Sequence, residues 1–421
     1  MSSFAISTMR GVFGGVPSSL LKEVRFHRKL NTNRKLSYMN MIKHRVNFEK
    51  KIDLNRAVCE AEKVVGYPTS FLNLRWLLSD EVANIALHLR KLMGSGHPLI
   101  HTVRDFLTGN NSPAWGLVVL LVSKVAGLNG EFKSVDKDLS VGVLHSQRAL
   151  AEVTEMIRTS NIIHKSLVNV RNGNDVSKGD AVDLYFGNKI SLLSGDYLLS
   201  TSYHTLACLK NQSLNELMCA ALRDLVEVEF VGPRDDQNVA LPIKPNPEQK
   251  DIEVYEHYDS EPYDIEDILG NVKAEWTLRN VLGGASLLGK SCQGTLMLAG
   301  HPVEVQERGY RIGKNVALAW QARNEIKIFS KGYKGPFKLV CAPLMFQLEC
   351  EPELYKEIEK GTSSVDNVDY DLLRERVCNG NGLEKTSELF TKHSSRALDE
   401  LREFPSTEAR AALINIITAT H

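Results

Sequence analysis

The sequence has no excess of charge of either sign, and it has no long apolar run. Its 421 residues contain 51 Lys plus Arg and 51 Asp plus Glu, so no overall field favours nucleic acid or an anionic membrane. The longest apolar run, from Leu117 to Val122, is far shorter than the roughly 20 residues that a membrane span requires. We therefore predict neither a nucleic-acid partner nor a transmembrane segment.

Clustered cysteines and the common hydrolase signatures are also missing. The seven cysteines show no Cys-x-x-Cys spacing, which argues against a zinc site or a disulfide framework. We predict buried free thiols, with Cys208 and Cys219 as small core residues because they follow helical spacing among Leu and Ala. No Gly-x-Ser-x-Gly or His-Glu-x-x-His pattern supports a hydrolase or a metalloprotease.

Acidic residues are nearly absent from the N-terminus. Up to Val46 the chain contains nine Lys or Arg and a single acid, Glu23. Serines and small apolar residues are interspersed, a composition typical of mitochondrial transit peptides. We predict that residues 1–50 are a transit peptide with a basic N-terminal segment, and that the protein is located in the mitochondrial matrix. The alternative is a basic tail without a targeting role.

Strand-like alternation is scarce, whereas helical spacing of apolar residues recurs along the rest of the chain. We predict an all-α helical domain over residues 57–421, with most helices long and antiparallel. Besides a stripe from Leu72 to Leu92, the predicted helical ranges are 142–168, 182–209, 213–230, 273–299, 302–330, 336–356, 383–402 and 406–418.

One segment, residues 232–270, interrupts this helical pattern. Its five prolines exclude a continuous helix. Its eleven acidic residues outnumber three Lys or Arg, and low apolarity with net negative charge favours a flexible acidic insert. The insert is either an addition without a role of its own or a docking or regulatory segment.

Two helical windows carry the most specific pattern of the chain. His164 precedes the first window, and Trp320-Gln321 leads the second. The lead-in residues and their spacing resemble the two aspartate-rich motifs of trans-prenyl diphosphate synthases. The six aspartate positions of those motifs hold other residues here: Lys165, Ser166, Asn169, Asn324, Glu325 and Ile328. The resemblance implies an isoprenoid (polyprenyl) synthase helical bundle that has lost its own chemistry.

The resemblance also implies that the substrate anchors are lost. Gly94 to Leu99 stand where the family has an arginine-rich anchor, and Asn174 and Asp175 replace paired arginines. Gly283-Gly284 replaces a Lys-Thr pair. Because Mg²⁺ needs oxygen ligands and Glu325 is the only carboxylate among the six positions, we predict no metal, no cofactor and no catalytic residue on this chain.

Five side chains near these positions have roles that the sequence leaves open. Lys165, Arg323 and Lys327 are candidates for binding a diphosphate directly without a metal, and the alternative is a solvated or interface-facing role. We predict that His164 packs between helices rather than acting as an acid or base, because no partner carboxylate is evident. Asp196 is predicted to make a structural hydrogen bond.

Further segments resemble the non-catalytic subunits of heteromeric synthases within this family, namely Ala61 to Phe71 and Leu77 to Glu81. The implied function is a non-catalytic or regulatory subunit of an all-trans-polyprenyl (nona- or decaprenyl) diphosphate synthase. Such an enzyme makes the ubiquinone side chain from farnesyl or geranylgeranyl diphosphate and isopentenyl diphosphate. A catalytic synthase subunit carrying Mg²⁺ would be the partner, in a heterodimer or heterotetramer. The alternatives are a non-catalytic prenyl-lipid or prenyl-diphosphate binding protein and a self-sufficient synthase with unusual metal ligands.

Overall fold

A computed structural model describes the chain over most of its predicted helical domain. The described residues are 53–67, 69, 97–108, 114–130, 142–170, 178–246, 254, 265–330, 333 and 335–419. Within these ranges the chain forms helices and no strand, which confirms the predicted all-α fold class. The predicted segment 1–50 and the whole stripe from Leu72 to Leu92 lie outside the described residues.

Fifteen α-helices occur within the described ranges. They are α1 (Leu54–Val65), α2 (Pro98–Thr108), α3 (Trp115–Ala126), α4 (His145–His164), α5 (Lys178–Cys208), α6 (Gln212–Glu227), α7 (Ile265–Ile268), α8 (Val272–Asn280), α9 (Ser286–Leu298), α10 (Val303–Ile328), α11 (Ala342–Cys350), α12 (Tyr355–Glu359), α13 (Tyr370–Asn379), α14 (Gly382–Arg402) and α15 (Glu408–Thr418). A π-turn, Val281–Ala285, joins α8 to α9, and a short 3-10 turn, Val228–Phe230, follows α6. None of these helices is long and apolar enough to cross a membrane.

Helix α9 lies at the centre of the bundle, where it packs against α3, α4, α6 and α10. These four helices bury its apolar residues, among them Leu287, Leu288, Cys292 and Leu296. Helix α10 packs on α9 and α14, while α1 and α15 pack against each other and against α3. Burial of each such apolar side chain contributes about 1.5–3 kcal/mol to folding. This core holds the C-terminal ends of α4 and α10, which carry the two motif regions.

The first part of the predicted acidic insert is packed against the bundle. Asp235 is buried, and its carboxylate accepts hydrogen bonds from three backbone N–H groups. Arg279 of α8 pairs with Glu275 at 2.8 Å in the interior. The same guanidinium donates to the backbone carbonyls of Val231 and Leu241. Because a buried charge without its partner is costly, these contacts fix the start of the segment.

The rest of the predicted insert is described only in part. Val254 is buried and belongs to an apolar cluster with Val228 and Leu282. Residues 247–253 and 255–264 lie outside the described residues. The predicted flexibility of the insert therefore stays a prediction for those two stretches, while the described stretch 231–246 is held by the contacts given above.

The structure corrects the helix predicted at 336–356. Helix α11 spans only Ala342–Cys350, with extended and turn residues before it. Pro343 lies in its first turn, where the missing N–H of proline does no harm. Pro352 follows the helix and cannot continue it, because its ring would collide with the preceding turn. Apolar spacing alone does not reveal where the helix begins and ends.

The predicted burial of the cysteines holds for only two of the seven, Cys292 and Cys341. Burial raises the pKa of both thiols. The prediction that Cys208 and Cys219 are core residues is wrong, since both are exposed. They lie on the outward sides of α5 and α6, which carry apolar residues on more than one side. All seven cysteines are free thiols.

Candidate functional site

The first motif begins at the C-terminus of α4, where Lys165 is the residue that caps the helix. Lys165 is exposed, and its Nζ lies 3.2 Å from Glu229 Oε1. Glu229 Oε2 in turn accepts a hydrogen bond from Arg234 Nη1 at 3.1 Å. The carboxylate thus lies between two cations. Where the family presents an aspartate to a metal, this chain presents a lysine whose charge is matched by Glu229.

The other two positions of the first motif are engaged with protein groups. Ser166 is buried, and its hydroxyl lies 2.9 Å from Thr102 Oγ1 of α2. Asn169 Nδ2 donates to the backbone carbonyl of Asp236 at 3.3 Å. These contacts join the end of α4 to α2 and to the packed stretch 231–246. Neither side chain offers a carboxylate to a cation.

Glu325 is the one carboxylate among the six positions, and it is buried within the bundle. Its Oε2 accepts hydrogen bonds from Trp276 Nε1 at 2.9 Å and from the backbone N–H of Ala342 at 2.8 Å. Its Oε1 accepts a hydrogen bond from Gln321 Nε2 at 2.8 Å. Burial raises the pKa of this carboxyl group, and the three donors oppose that rise. Glu325 therefore joins α8 and α10 to the N-terminus of α11.

The diphosphate candidate Arg323 lies on another side of α10, since two residues along a helix are turned by roughly 200°. Its Nη1 donates to the backbone carbonyl of Ala419 at 2.8 Å, just beyond α15. Burial lowers the pKa of Arg323. Burial and the like charge of Arg323 lower the pKa of Lys327 as well. This placement argues against Arg323 binding a diphosphate together with Lys165.

The remaining positions of the second motif are Asn324 and Ile328. Asn324 is half-buried and has a polar contact of its own. Ile328 packs against an apolar cluster that includes Phe329 and Phe337. Its carbonyl accepts a hydrogen bond from Arg374 Nη1 at 2.6 Å, and the Arg374 guanidinium also lies over both phenyl rings. The chain beyond the motif is held in place by this arginine.

A further cation, Lys338, lies near the motif residues in the segment between α10 and α11. Solvent reaches its side chain, but the surrounding protein partly desolvates the ammonium, and this effect and the charge of Lys165 lower its pKa. Glu325 and Glu229 oppose the change. Sequence reasoning misses Lys338, because it lies in no motif and only the fold brings it close. Two ammonium groups, those of Lys165 and Lys338, thus lie near the motif positions.

A neutral histidine occupies the region of the family's arginine-rich anchor. The His97 ring is buried, and its Nδ1 accepts a hydrogen bond from the backbone N–H of Leu99 at 3.1 Å. Nε2 therefore carries the proton and donates to Asn188 Oδ1 at 3.1 Å. Burial lowers the pKa of His97. A Cβ at Gly187 would lie 2.3 Å from the ring, so the close packing of His97 on α5 requires glycine.

Gly283-Gly284, in place of the family's Lys-Thr pair, belongs to the π-turn before α9. A Cβ at Gly284 would lie 2.8 Å from the Trp115 ring, so the indole uses the space that a side chain would need. The Arg158 guanidinium lies 4.7 Å from the centre of that ring. Here the chain presents an indole and a stacked cation instead of a substrate anchor.

His164 and Asp196 contact each other. His164 Nε2 lies 3.2 Å from Asp196 Oδ1, which joins the end of α4 to α5. The contact agrees with the predicted packing of His164 between helices and with the structural hydrogen bond predicted for Asp196. The contact also gives His164 the carboxylate partner that the sequence analysis does not identify.

The residues at the motif positions do not fit a magnesium cluster. Within the described ranges, no group of three or more His, Cys, Asp or Glu side chains could hold a metal ion. Both oxygens of Glu325 accept hydrogen bonds from protein donors. Mg²⁺ prefers carboxylates and substrate phosphates in near-octahedral geometry. That this chain carries no metal stays a prediction, and the donor set supports it.

Comparison with known proteins decides the family, although no protein-family model matches the chain. Human all trans-polyprenyl-diphosphate synthase PDSS2 is 37% identical over 377 residues, which cover 87% of this chain and 86% of that protein. The chain belongs to the trans-polyprenyl diphosphate synthase family. This confirms the resemblance found at the motif positions. The chain is thus a member of that family in which both aspartate-rich motifs are replaced.

More distant proteins agree with this family membership. Probable hexaprenyl pyrophosphate synthase, mitochondrial, of Neurospora crassa is 27% identical over 410 residues, covering 87% of this chain and 85% of that protein. The crystal structure of a polyprenyl synthase from Caulobacter crescentus has a TM-score of 0.57 at 17% identity, covering 88% of this chain and 98% of that one. The structural likeness confirms the isoprenoid synthase fold. The name of the Neurospora protein supports a mitochondrial location for this chain.

Proposed function

We propose that this chain is the non-catalytic or regulatory subunit of a heteromeric all-trans-polyprenyl diphosphate synthase that makes the ubiquinone side chain. The observation that carries the proposal is the exposed apolar face of α5, a helix of 31 residues. Helix α5 packs on α4, whose end carries the first motif without its aspartates. A family member without metal ligands but with an uncovered helix face is suited to bind a second subunit that has the active site.

The apolar residues of α5 lie on both of its sides. Six large ones are exposed: Val182, Tyr185, Leu192, Leu193, Tyr197 and Tyr203. At 3.6 residues per turn, these six fall within one sector of roughly 140°. On the opposite side, Leu198 and Leu206 are buried. Because a helix that is apolar all round is normally covered all round, the exposed sector is expected to meet another protein.

Helix α6 is expected to extend this face. Helices α5 and α6 are joined by a short turn, a connection typical of antiparallel helices, which would bring the end of α6 level with the middle of α5. Val226 and Phe230, at that end, are 53% and 81% exposed. We call these eight exposed apolar residues, on α5, on α6 and in the 3-10 turn after α6, the docking face. Its three tyrosines and Phe230 are the type of residue that anchors protein interfaces.

The catalytic partner would supply what this chain lacks. It would carry both aspartate-rich motifs with Mg²⁺, and it would bind farnesyl or geranylgeranyl diphosphate and isopentenyl diphosphate. This chain would cover the partner's apolar face and so affect activity and product length, with a nona- or decaprenyl product. The names of the human and Neurospora relatives, a polyprenyl and a hexaprenyl synthase, support this substrate class. The complex would be a heterodimer or a heterotetramer.

The binding-protein alternative receives less support from the interior of the bundle. Ser123 Oγ of α3 lies 2.6 Å from Thr295 Oγ1 of α9. Thr154 Oγ1 of α4 donates to Ser291 Oγ of α9 at 2.8 Å. These hydrogen bonds join the helices around the centre of the bundle. A prenyl chain inserted there would have to separate them and leave buried hydroxyl groups without partners.

A groove of about 630 Å³ between α6 and α9 is also a poor site for a hydrocarbon chain. Arg223, Asp224 and Lys290 are among the residues that line it. Lys290 Nζ lies 2.6 Å from Asp224 Oδ2. Covering this ion pair with hydrocarbon would remove its remaining water, which costs free energy that apolar contacts would have to offset.

Synthesis in vitro tests the proposal. The isolated chain is expected to make no polyprenyl product from farnesyl diphosphate, isopentenyl diphosphate and Mg²⁺, because its motif positions hold no set of carboxylates. Adding the catalytic subunit should yield long-chain product well above that of the catalytic subunit alone. A heat-unfolded sample of this chain is the control. Metal-dependent turnover by the isolated, partner-free chain would overturn the proposal.

We further propose that the protein works in the mitochondrial matrix. The support is the basic, nearly acid-free composition up to Val46. Residues 1–50 fused to a fluorescent reporter are expected to bring it into the matrix, as judged by protease protection in isolated mitochondria. A matched fusion in which the ten Lys and Arg of residues 1–50 are changed to Gln should stay in the cytosol. A wild-type fusion that stays in the cytosol would count against matrix targeting by this segment.

A further inference from the structure

The groove between α6 and α9 contains polar side chains that the proposed function does not use. Its volume of about 630 Å³ is within the range of small-molecule sites. Asp224 lines the groove, whereas Val226 belongs to the docking face. These two residues are two positions apart on α6 and are therefore turned by roughly 200° from each other. The groove thus opens on a different side of α6 from the docking face.

Gln293 of α9 is a buried residue of the groove whose side-chain oxygen has no partner. The residue is 5% exposed, and its Oε1 accepts no hydrogen bond. Leaving a buried acceptor unpaired costs free energy. A leucine would fill a similar volume without that cost, so packing alone does not account for glutamine at this position. An amide has one acceptor and two donor hydrogens, and a ligand in the groove can bind to them once the amide turns toward it.

Arg223 and Glu227 carry opposite charges one turn apart on α6, and both line the groove. In the part of the chain that the structure describes, neither makes an ion pair or a side-chain hydrogen bond. The two charges beside them are matched within the protein: Lys290 Nζ lies 2.6 Å from Asp224 Oδ2, and the Ser286 hydroxyl donates to the same oxygen. This end of the groove therefore presents one unpaired cation and one unpaired carboxylate to a ligand.

The directions of α6 and α9 bring the amide and the two charges toward each other. Asp224, near the end of α6, accepts from Ser286 at the start of α9. Leu214, near the start of α6, packs on Gly294, where an added Cβ would lie 2.5 Å from the leucine Cδ1. The helices therefore run antiparallel. Because side chains lean toward the N-terminus of their helix, Gln293 leans toward the two unpaired charges, and these lean back toward it.

We propose that this groove binds a small zwitterion of the amino-acid type whose side chain forms hydrogen bonds. Its carboxylate pairs with Arg223, its ammonium group pairs with Glu227, and its side chain donates to Gln293 Oε1. A simple anion would also meet the Glu227 carboxylate, and a simple cation would also meet the Arg223 guanidinium. A molecule with both charges matches both residues, so the charges select against either simple ion. Leu217 and Met297 line the groove and can pack against the methylene groups of the ligand.

Free L-glutamine is the probe, because its side-chain amide can exchange two hydrogen bonds with the amide of Gln293. The full chain is expected to bind it with a Kd of about 1 mM or lower in isothermal titration calorimetry. N-acetyl-L-glutamine lacks the ammonium group, and L-glutaminamide lacks the carboxylate. L-norleucine keeps both charges but has no amide. Each of these three analogues should bind at least roughly tenfold more weakly than L-glutamine, because each leaves one group of the site unpaired.

Substitutions place the ligand in the groove. Gln293→Leu should weaken glutamine binding by roughly tenfold or more, yet the melting temperature of the ligand-free chain should stay the same or rise, because an unpaired buried acceptor is removed. Arg223→Gln should weaken binding to a similar extent. Lys210→Gln is the matched control, since Lys210 is an exposed cation in the turn between α5 and α6 and does not line the groove. The control variant should bind glutamine as tightly as wild type.

Absence of saturable glutamine binding at about twentyfold the expected Kd would overturn the inference. Equal affinity for N-acetyl-L-glutamine or L-glutaminamide would overturn it too, by showing a site for a simple anion or a simple cation. Wild-type affinity in Gln293→Leu would show that the ligand binds elsewhere, and a lower melting temperature of that variant would show that the amide serves the fold. The inference goes beyond the proposed function, and all these measurements use the isolated chain. Synthesis with the catalytic subunit therefore stands or falls separately.

Discussion

Leu193→Asp is expected to abolish assembly with the catalytic subunit and, with it, the synthesis of long-chain product. Leu193 is 54% exposed at the centre of the docking face. An aspartate there would be buried in the interface without a partner, beside Asp196. An uncompensated buried charge costs about 3–5 kcal/mol, which corresponds to at least roughly a hundredfold rise in Kd. Co-purification of the two subunits and assay of the mixture measure the effect.

A matched control exists on the same chain. Val303, at the start of α10, is 60% exposed and lies outside the docking face. Val303→Asp makes the same type of change, and an acid suits the first turn of a helix. It is expected to leave both assembly and synthesis unchanged. Wild-type affinity in Leu193→Asp, or equal losses in the two variants, would show that the partner binds elsewhere.

Much of the helical fold could be predicted from apolar spacing. The predicted helix 302–330 agrees closely with α10 at Val303–Ile328, and the predicted helix 383–402 agrees closely with α14 at Gly382–Arg402. Prediction fails where local chemistry interrupts a helix without changing its apolar pattern. Such an interruption is the π-turn Val281–Ala285 within the range 273–299, where Gly284 has a non-helical conformation. The glycine is visible in the sequence, but its close contact with Trp115 is not.

The candidate site was less predictable than the fold. The six motif positions could be located from their lead-in residues, since these depend only on spacing along α4 and α10. What each side chain contacts depends on distant parts of the chain. Arg323 reaches the end of α15. Lys338 lies in the stretch before α11 that apolar spacing predicts as helix but that is not helical in the structure. No spacing rule indicates that Glu325 accepts hydrogen bonds from α8 and from the start of α11.

The contacts of Glu325 predict that restoring the family's aspartate at this position destabilises the protein. Glu325→Asp restores the family's residue, yet it is expected to lower the free energy of unfolding by about 2–3 kcal/mol. The shorter side chain withdraws from Trp276 Nε1 and the Ala342 N–H, and each buried donor left without an acceptor costs about 1–3 kcal/mol. Urea unfolding followed by circular dichroism measures the loss. Mg²⁺ should not recover it, because Lys165 and Lys338 repel a cation there.

Glu325→Gln is the control that separates hydrogen bonding from charge. Glutamine has the length of glutamate, so its carbonyl oxygen can accept from Trp276 and Ala342, while its amide can donate to Gln321 once that side chain is turned. Burial raises the pKa of Glu325, so ionising this carboxyl group carries a desolvation cost that the neutral amide does not have. Glu325→Gln is therefore expected to change the free energy of unfolding by less than about 1 kcal/mol. If the aspartate variant proved as stable as wild type and gained stability from Mg²⁺, Glu325 would be a displaced metal ligand and not the structural link between α8, α10 and α11.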